Sequence, residues 1–245
     1  LIMNNYSWLQ QKLHIFALSS QFMREITFDS ENTGSTSKCK NTNHIFIAGL
    51  ARSGTTSIMN AIYNSGDFAS LSYADMPFVL APNLWSKISF NTKHNLLIER
   101  AHQDGIFVST DSPEAFEEVF WKTFKDTEKV TQDKFKIYVK SIKKRYKKDR
   151  YLSKNNKNII RIDILQKIYP NAKIIIPYRH PLQQAYSLLT QHKKFIKHAK
   201  KDNFVSKYMK LIGHTEFGPN YDHIKKQNLE HINDMNINHW LEQWY

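Results

Sequence analysis

The sequence predicts an α/β fold, a three-layer sandwich built on a central parallel sheet, and three observations carry that prediction. Short apolar runs pass into amphipathic helix patterns three times: residues 45–48 into 55–64, 151–153 into 158–169, and 173–178 into 182–194. Such alternation is the signature of parallel strands with helices on both faces. The first strand also runs into a phosphate-loop-like turn, "AGLARSGTTS". Finally, 245 residues with 41% hydrophobic and 13% aromatic content can fill one sizeable core but are a tight fit for two.

The chain opens with "LIMNNYSWLQQKLHIFALSSQFMREITF", where Gln, Lys, His, Arg and Glu interrupt the apolar residues. It therefore reads as an amphipathic helix, with neither the continuous span of a membrane helix nor the apolar region and cleavage site of a signal peptide. "SENTGSTSKCKNTN", residues 30–43, is a polar connection. The expected division is thus a helix and linker over 1–43 and a domain over 44–245. Cys39 is the sole cysteine, which leaves no intrachain disulfide and makes a reducing compartment the default. A cytoplasmic location is the corresponding expectation.

After the first strand, Gly49 and Gly54 bracket a tight turn, and a helix pattern begins at Thr55. A strand, a glycine turn and a helix N-terminus offer backbone N–H groups to an anion with the helix dipole behind them. Ser53, Thr55, Thr56 and Ser57 add hydroxyl donors. In a nucleotide-hydrolysing phosphate loop a lysine would stand where Thr55 is, reaching the β- and γ-phosphates. The cation here is Arg52, whose planar fork suits a tetrahedral oxyanion without a metal.

Further on, "STDSPEAFEEVFWKTF" has Asp111 or Ser112 as an N-cap and Pro113 in a first turn, so a helix is expected from there. Residues 122–150, with "KSIKKRYKKDR", read as a solvated basic stretch. The helix over 158–169 has Ile162, Leu165, Ile168 and Tyr169 on one side and is closed by Pro170 and Asn171. The third unit, "AKIIIPYRHPLQQAYSLLTQH", repeats the strand, loop and helix logic, with Arg179 leaving the strand and Ser187 eight residues later. An arginine and a hydroxyl make a second anion site. Two such sites at neighbouring strand ends suit one ligand with two separated phosphate-like groups.

Lys and Arg total 35 against 22 Asp and Glu, a net +13 that attracts anions in general. No helix-turn-helix, zinc-ligand or RNP-like pattern accompanies the charge, so no specific nucleic-acid partner is expected. Of the eleven histidines, His192 and His198 in "HKKFIKH" are six apart, off a common helix face, and no HExxH occurs. No metal site is expected.

Taken together, "ARSGTTS" and "YRHPLQQAYS", in this order and with "LSKNN" and "YPNAKIIIPYR" between, resemble the sulfotransferases that use 3′-phosphoadenosine 5′-phosphosulfate (PAPS). The pattern is closest to the tyrosylprotein and bacterial-type members and covers roughly residues 44–195. The resemblance implies metal-free, in-line transfer of a sulfuryl group to an acceptor hydroxyl or amine on a glycan, peptide or small molecule. It implies that Arg52, Ser53, Gly54, Thr55, Thr56 and Ser57 hold the 5′-phosphosulfate and that Arg179 and Ser187 hold the 3′-phosphate. Lys154 in "YLSKNN" matches a lysine that stabilises charge on the leaving or transferring oxygen in the tyrosine-sulfating branch, although Asn155 and Asn156 replace the Asp-Pro that often follows. That branch places its base just after the first helix, which points to Asp75 in "SYADMPF", the only carboxylate between Asp67 and Glu99. Branches acting on phenols and steroids use a histidine instead, a part open to His94 or His102. Family members continue past "HWLEQWY" into a strand and a loop over the adenine, so the resemblance implies a chain cut short at this end.

Two rival readings remain at this point. One is a degenerate phosphate-loop kinase or GTPase, against which stand the missing loop lysine and the lack of an acidic Walker-B strand. The other is a noncatalytic binder of acidic glycan or nucleic acid through the lysine-rich face.

Overall fold

The computed structural model describes residues 6–36, 43–89, 97–100, 105–124, 129–200, 203–223 and 233–245. Its elements are α1 (Trp8–Ser19), α2 (Gln21–Glu31), β1 (Ile45–Ile47), α3 (Thr55–Tyr63), β2 (Phe68–Ala69), α4 (Pro82–Ile88), β3 (Ile98–Glu99), β4 (Phe107–Val108), α5 (Glu118–Thr123), α6 (Lys129–Tyr146), β5 (Arg150–Lys154), α7 (Ile162–Ile168), β6 (Lys173–Ile175), α8 (Pro181–Ala199), α9 (Asn203–Ile212) and α10 (Ile237–Trp244). Four parallel strands form the sheet in the order β2-β5-β1-β6, while β3 and β4 pair antiparallel beside it.

The alternation of side chains along β1 explains the layering. Phe46 turns to a large aromatic core with Phe135, Tyr138, Tyr151 and Tyr169, where α6 and α7 lie. Ile45 and Ile47 turn the other way, with Leu152, Met59 and the inner face of α3. Both faces of the sheet are covered, as a central parallel sheet requires. Among the described residues no helix is long and apolar enough to cross a membrane.

Several elements differ from the sequence reading. The leading segment is two helices, because Ser20 adopts an extended conformation (φ −93°, ψ 129°) that breaks the run between α1 and α2. Both helices join the main core through Ala17, Leu18 and Phe28. The helix expected from Asp111 or Ser112 starts only at Glu118. Tertiary pairing wins there: Pro113 bridges Ser72, the Glu114 N–H donates to the Leu71 carbonyl, and the Ser112 hydroxyl accepts from the Ser109 N–H in a turn.

The expected solvated stretch over 122–150 contains the 18-residue helix α6, which buries Phe135, Tyr138, Val139 and Ile142 against the sheet. Those four fall at helical spacing on one face, while Lys140 and Lys144 are exposed on the other side. The second unit has a 3-10 turn over Asn156–Ile160 before α7 rather than one continuous helix. Cys39, His94 and His102 lie outside the described residues.

Candidate active site

The loop after β1 emerges between two neighbours that hold its start. Asn155 N–H donates to the Ile47 carbonyl from the β5 side, and Ala48 N–H donates to the Ile175 carbonyl on the β6 side, each at 3.0 Å. Gly49 (φ 117°) lies in the left-handed region, where a side chain would be strained. Arg52 is itself left-handed (φ 69°), and so is Gly54 (φ 98°), which caps α3. Two such residues on either side of Ser53 curl the chain so that the first-turn N–H groups of α3, which have no carbonyl partner within the helix, face one concavity. Ser53 spends its hydroxyl inside the turn, donating to the Leu50 carbonyl at 2.9 Å.

The third strand–helix unit closes on this loop. Gln184 of α8 donates to the Ala51 carbonyl at 3.0 Å, and Arg52 Nε donates to the Ser187 hydroxyl at 3.0 Å. Arg179, on the connection from β6 to α8, hydrogen-bonds Gln183 through Nε at 3.3 Å. Together Arg52, Gly54, Thr55, Thr56, Ser57 and Arg179 line one open cleft of about 210 Å³, joined there by Arg100 and Ile106. Three guanidiniums and no carboxylate appear in that lining, so the cleft attracts an anion strongly.

Lys154 occupies a second layer beneath the loop. In the parallel register it lies opposite Ile47, the last residue of β1, and it is buried. It lines a small inner cavity of about 30 Å³ whose wall shares Arg52, Thr55, Thr56 and Arg100 with the cleft. Glu114, Asn156, His214 and Glu216 complete the polar part of that wall. Burial pushes the Lys154 ammonium below its ordinary pKa, and Arg100 and Arg52 push the same way, against the pull of Glu114 and Glu216. Burial alone would raise Glu114 and Glu216. Their neighbours win at both: Lys154, His214 and Arg100 hold Glu114 well below the carboxylate range, and His214 with Lys154 and the Asn156 amide brings Glu216 to about 2.

Asp75 is placed differently from the other candidate residues. It is buried at the end of a 3-10 turn over Tyr73–Asp75, where its Oδ2 accepts from the Ser72 N–H at 2.9 Å and from the Tyr146 hydroxyl. Arg145 Nε stands 3.6 Å from its Oδ1. Asp75 lines neither the cleft nor the inner cavity. Ser187 likewise stands behind the cleft wall, on Arg52 rather than on Arg179.

Sequence reasoning missed Arg100, Glu114, His214 and Glu216. Arg100 is buried, follows the two-residue β3 and donates to the Thr56 hydroxyl at 3.2 Å. No local motif marks it. Glu114 sat in a segment read as a helix start, and its Oε2 instead accepts from the Tyr73 hydroxyl at 2.5 Å. His214 and Glu216 stand between two glycines in "GHTEFG", a pattern whose left-handed turns were the available signal.

Comparison with protein families matches residues 44–244 to the sulfotransferase family. Comparison with curated protein sequences finds no match. Among solved structures, the crystal structure of sulfotransferase STF9 from Mycobacterium avium is similar, at 14% identity and a TM-score of 0.46, over 88% of this chain and 69% of that one.

Proposed function

The chain belongs to the sulfotransferase family, and from that membership we propose that it moves a sulfuryl group from PAPS to a hydroxyl or amine of a glycan, peptide or small-molecule acceptor. One observation carries the choice of donor. Arg52, Arg100 and Arg179 come from three separate segments and line one cleft at the N-terminus of α3, and the described lining of that cleft holds no carboxylate. A ligand with two separated anionic groups can reach guanidiniums from all three segments within the one cleft.

The residues then divide the labour. Backbone N–H groups from Gly54 to Ser57 and the Arg52 guanidinium hold the 5′-phosphosulfate end, with Thr55 and Thr56 as further donors. Arg179 holds the 3′-phosphate, and Ser187 fixes the orientation of Arg52. Arg100 adds a positive charge on the side of the cleft next to Thr56. Lys154 faces the same loop from beneath, where a buried cation stabilises negative charge far better than one in water. PAPS supplies an activated sulfuryl group whose leaving oxygen belongs to a phosphate. Catalysis by this chain is therefore positioning plus charge stabilisation.

Adenosine 3′,5′-bisphosphate immobilised on a column tests the donor site. Retention that free bisphosphate competes away supports the reading. Elution by salt alone indicates a nonspecific anion-binding face, and competition only by ATP with Mg²⁺ indicates a nucleotide kinase. Transfer of labelled sulfate from PAPS across glycans, peptides and small alcohols then identifies the acceptor class.

A further inference from the structure

Resting on the sulfotransfer reading, we propose that His214, held by Glu216, is the general base that takes the proton from the acceptor. A base for this reaction has to stand beside the transferring group, keep a lone pair available and be oriented by a partner. His214 lies on the wall it shares with the phosphate loop and has an orienting partner and an open ring nitrogen.

It forms part of the wall of the inner cavity, together with Lys154, Arg52 and Thr55, so it stands at the layer between the phosphate loop and the strand-end lysine. The cavity of about 30 Å³ has the size of a single hydroxyl or water. His214 Nδ1 lies 3.6 Å from Glu216 Oε2, and the other oxygen of Glu216 accepts from Asn156 Nδ2 at 2.8 Å. A carboxylate beside Nδ1 selects the tautomer that keeps the proton there. No described group hydrogen-bonds Nε2, which leaves that nitrogen as the acceptor.

The turn carrying this pair is built to hold it. Gly213 (φ 82°) and Gly218 (φ 85°) flank it, both in the left-handed region. A Cβ at Gly213 would come within 2.3 Å of Glu118 Cγ, and one at Gly218 within 3.0 Å of Phe195 Cβ. The Gly218 N–H also donates to His192 Nδ1 at 3.0 Å. Glu118 in turn grips Arg161 Nη1 at 2.7 Å and Asn155 Nδ2 at 2.8 Å. Asn155 directly follows Lys154, so one buried network seats both the histidine turn and the lysine strand end.

The other titratable groups of the cavity suit the task less well. Glu114 is committed on both oxygens, to the Tyr73 hydroxyl at 2.5 Å and to the Ala115 N–H at 2.8 Å, and the surrounding cations make it a poor proton acceptor. Lys154 is a buried cation between two carboxylates. In the proposed step the acceptor O–H bond breaks, its proton goes to His214 Nε2, and the acceptor oxygen forms the new O–S bond. The S–O bond to the adenosine bisphosphate breaks at the same time, its electron pair staying on the phosphate oxygen. The imidazolium is stabilised by Glu216.

His214→Gln and Glu216→Gln in the full chain test this, with two independent readouts. In transfer assays His214→Gln should lower kcat about a hundredfold or more, abolish the acidic limb of the pH–rate profile, and leave affinity for adenosine 3′,5′-bisphosphate unchanged. A variant that keeps both kcat and the acidic limb overturns the proposal. Nitrogen-15 shifts of the histidine rings need no turnover. Facing Glu216, Glu114, Lys154 and Arg100, the neutral His214 ring should carry its proton on Nδ1 in the parent chain and lose that preference in Glu216→Gln, and a parent ring with its proton on Nε2 overturns the pairing. A parent chain that binds no bisphosphate sinks the donor reading instead, and the ring shifts still decide for or against the pair.

Discussion

Arg52 Nε and the Ser187 hydroxyl meet at 3.0 Å across 135 residues of chain, joining the phosphate loop to the helix of the third strand–helix unit. The bond holds a left-handed arginine (φ 69°) in one orientation at the cleft wall. A guanidinium already aimed at its ligand loses little freedom on binding.

Replacing Arg52 should therefore cost the donor end directly. Arg52→Ala is expected to weaken adenosine 3′,5′-bisphosphate about ten- to a hundredfold, the equivalent of roughly 1.5–3 kcal/mol for a charged hydrogen bond. Ser187→Ala removes the orienting contact but leaves the cation, so its loss should stay under about tenfold. Isothermal titration of both variants reads the two numbers. Equal affinities for parent and Arg52→Ala would remove this loop from the donor site.

Gly213 and Gly66 separate backbone strain from crowding. Both have positive φ, at 82° and 78°, but a Cβ at Gly66 meets open space while one at Gly213 overlaps Glu118. Gly66→Ala should cost about 1 kcal/mol, a fall in Tm of roughly 2–4 °C. Gly213→Ala adds an overpacking penalty and should fall by on the order of 3 kcal/mol in all. Thermal unfolding measures both, and equal Tm losses would show that the Glu118 network yields to the extra methyl.

Lys154→Met tests the buried charge cluster through its pH dependence. Glu216 is brought to about 2 in the fold from an ordinary 4.5, in part by Lys154. A depressed carboxylate contributes stability above its unfolded pKa and loses it as pH falls through the folded one. Removing the lysine lets Glu216 and Glu114 rise toward 4.5, while it also relieves the burial penalty on the lysine's own charge, so the stability gap between variant and parent should move in the variant's favour as pH falls from about 4.5 toward 2. Tm measured from pH 2 to 7 gives the curve. A gap independent of pH would mean that Lys154 does not hold these carboxylates.

The parts of this site legible in the sequence are those that local chemistry forces. A turn into a helix N-terminus needs Gly49 and Gly54, and an anion there calls for Arg52 and Arg179, so residues close in sequence declared themselves. Arg100 and His214 did not, because only the fold carries them to the loop, one from the position just after a two-residue strand and one from a turn after α9. Local signals also misled where tertiary contacts outweighed them. Asp111, Ser112 and Pro113 form a sound helix start in isolation, yet Pro113 and Glu114 pair with Ser72 and Leu71. In α6 the abundant lysines hid Phe135, Tyr138, Val139 and Ile142, whose 3.6-residue spacing was the stronger evidence.

Asp75 provides the sharpest test between two carriers of the acceptor's proton. Burial raises its carboxyl from 3.8 to about 6, against the Tyr146 hydroxyl, the Ser72 N–H and Arg145, which favour the ion. For an acid raised in the fold, ionisation penalises the native state: the penalty is absent below the unfolded pKa, grows between about 3.8 and 6, and is constant above. Asp75→Asn retains an oxygen for the Ser72 N–H and cannot ionise. It should be at least as stable as the parent above pH 6, and its advantage should disappear as pH falls below about 4. In transfer assays its kcat should change by less than about tenfold, since loss of a general base costs about a hundredfold or more. A hundredfold fall in kcat with bisphosphate affinity intact would instead give the proton to Asp75, and would require the Tyr73–Asp75 turn to open toward the cleft during turnover.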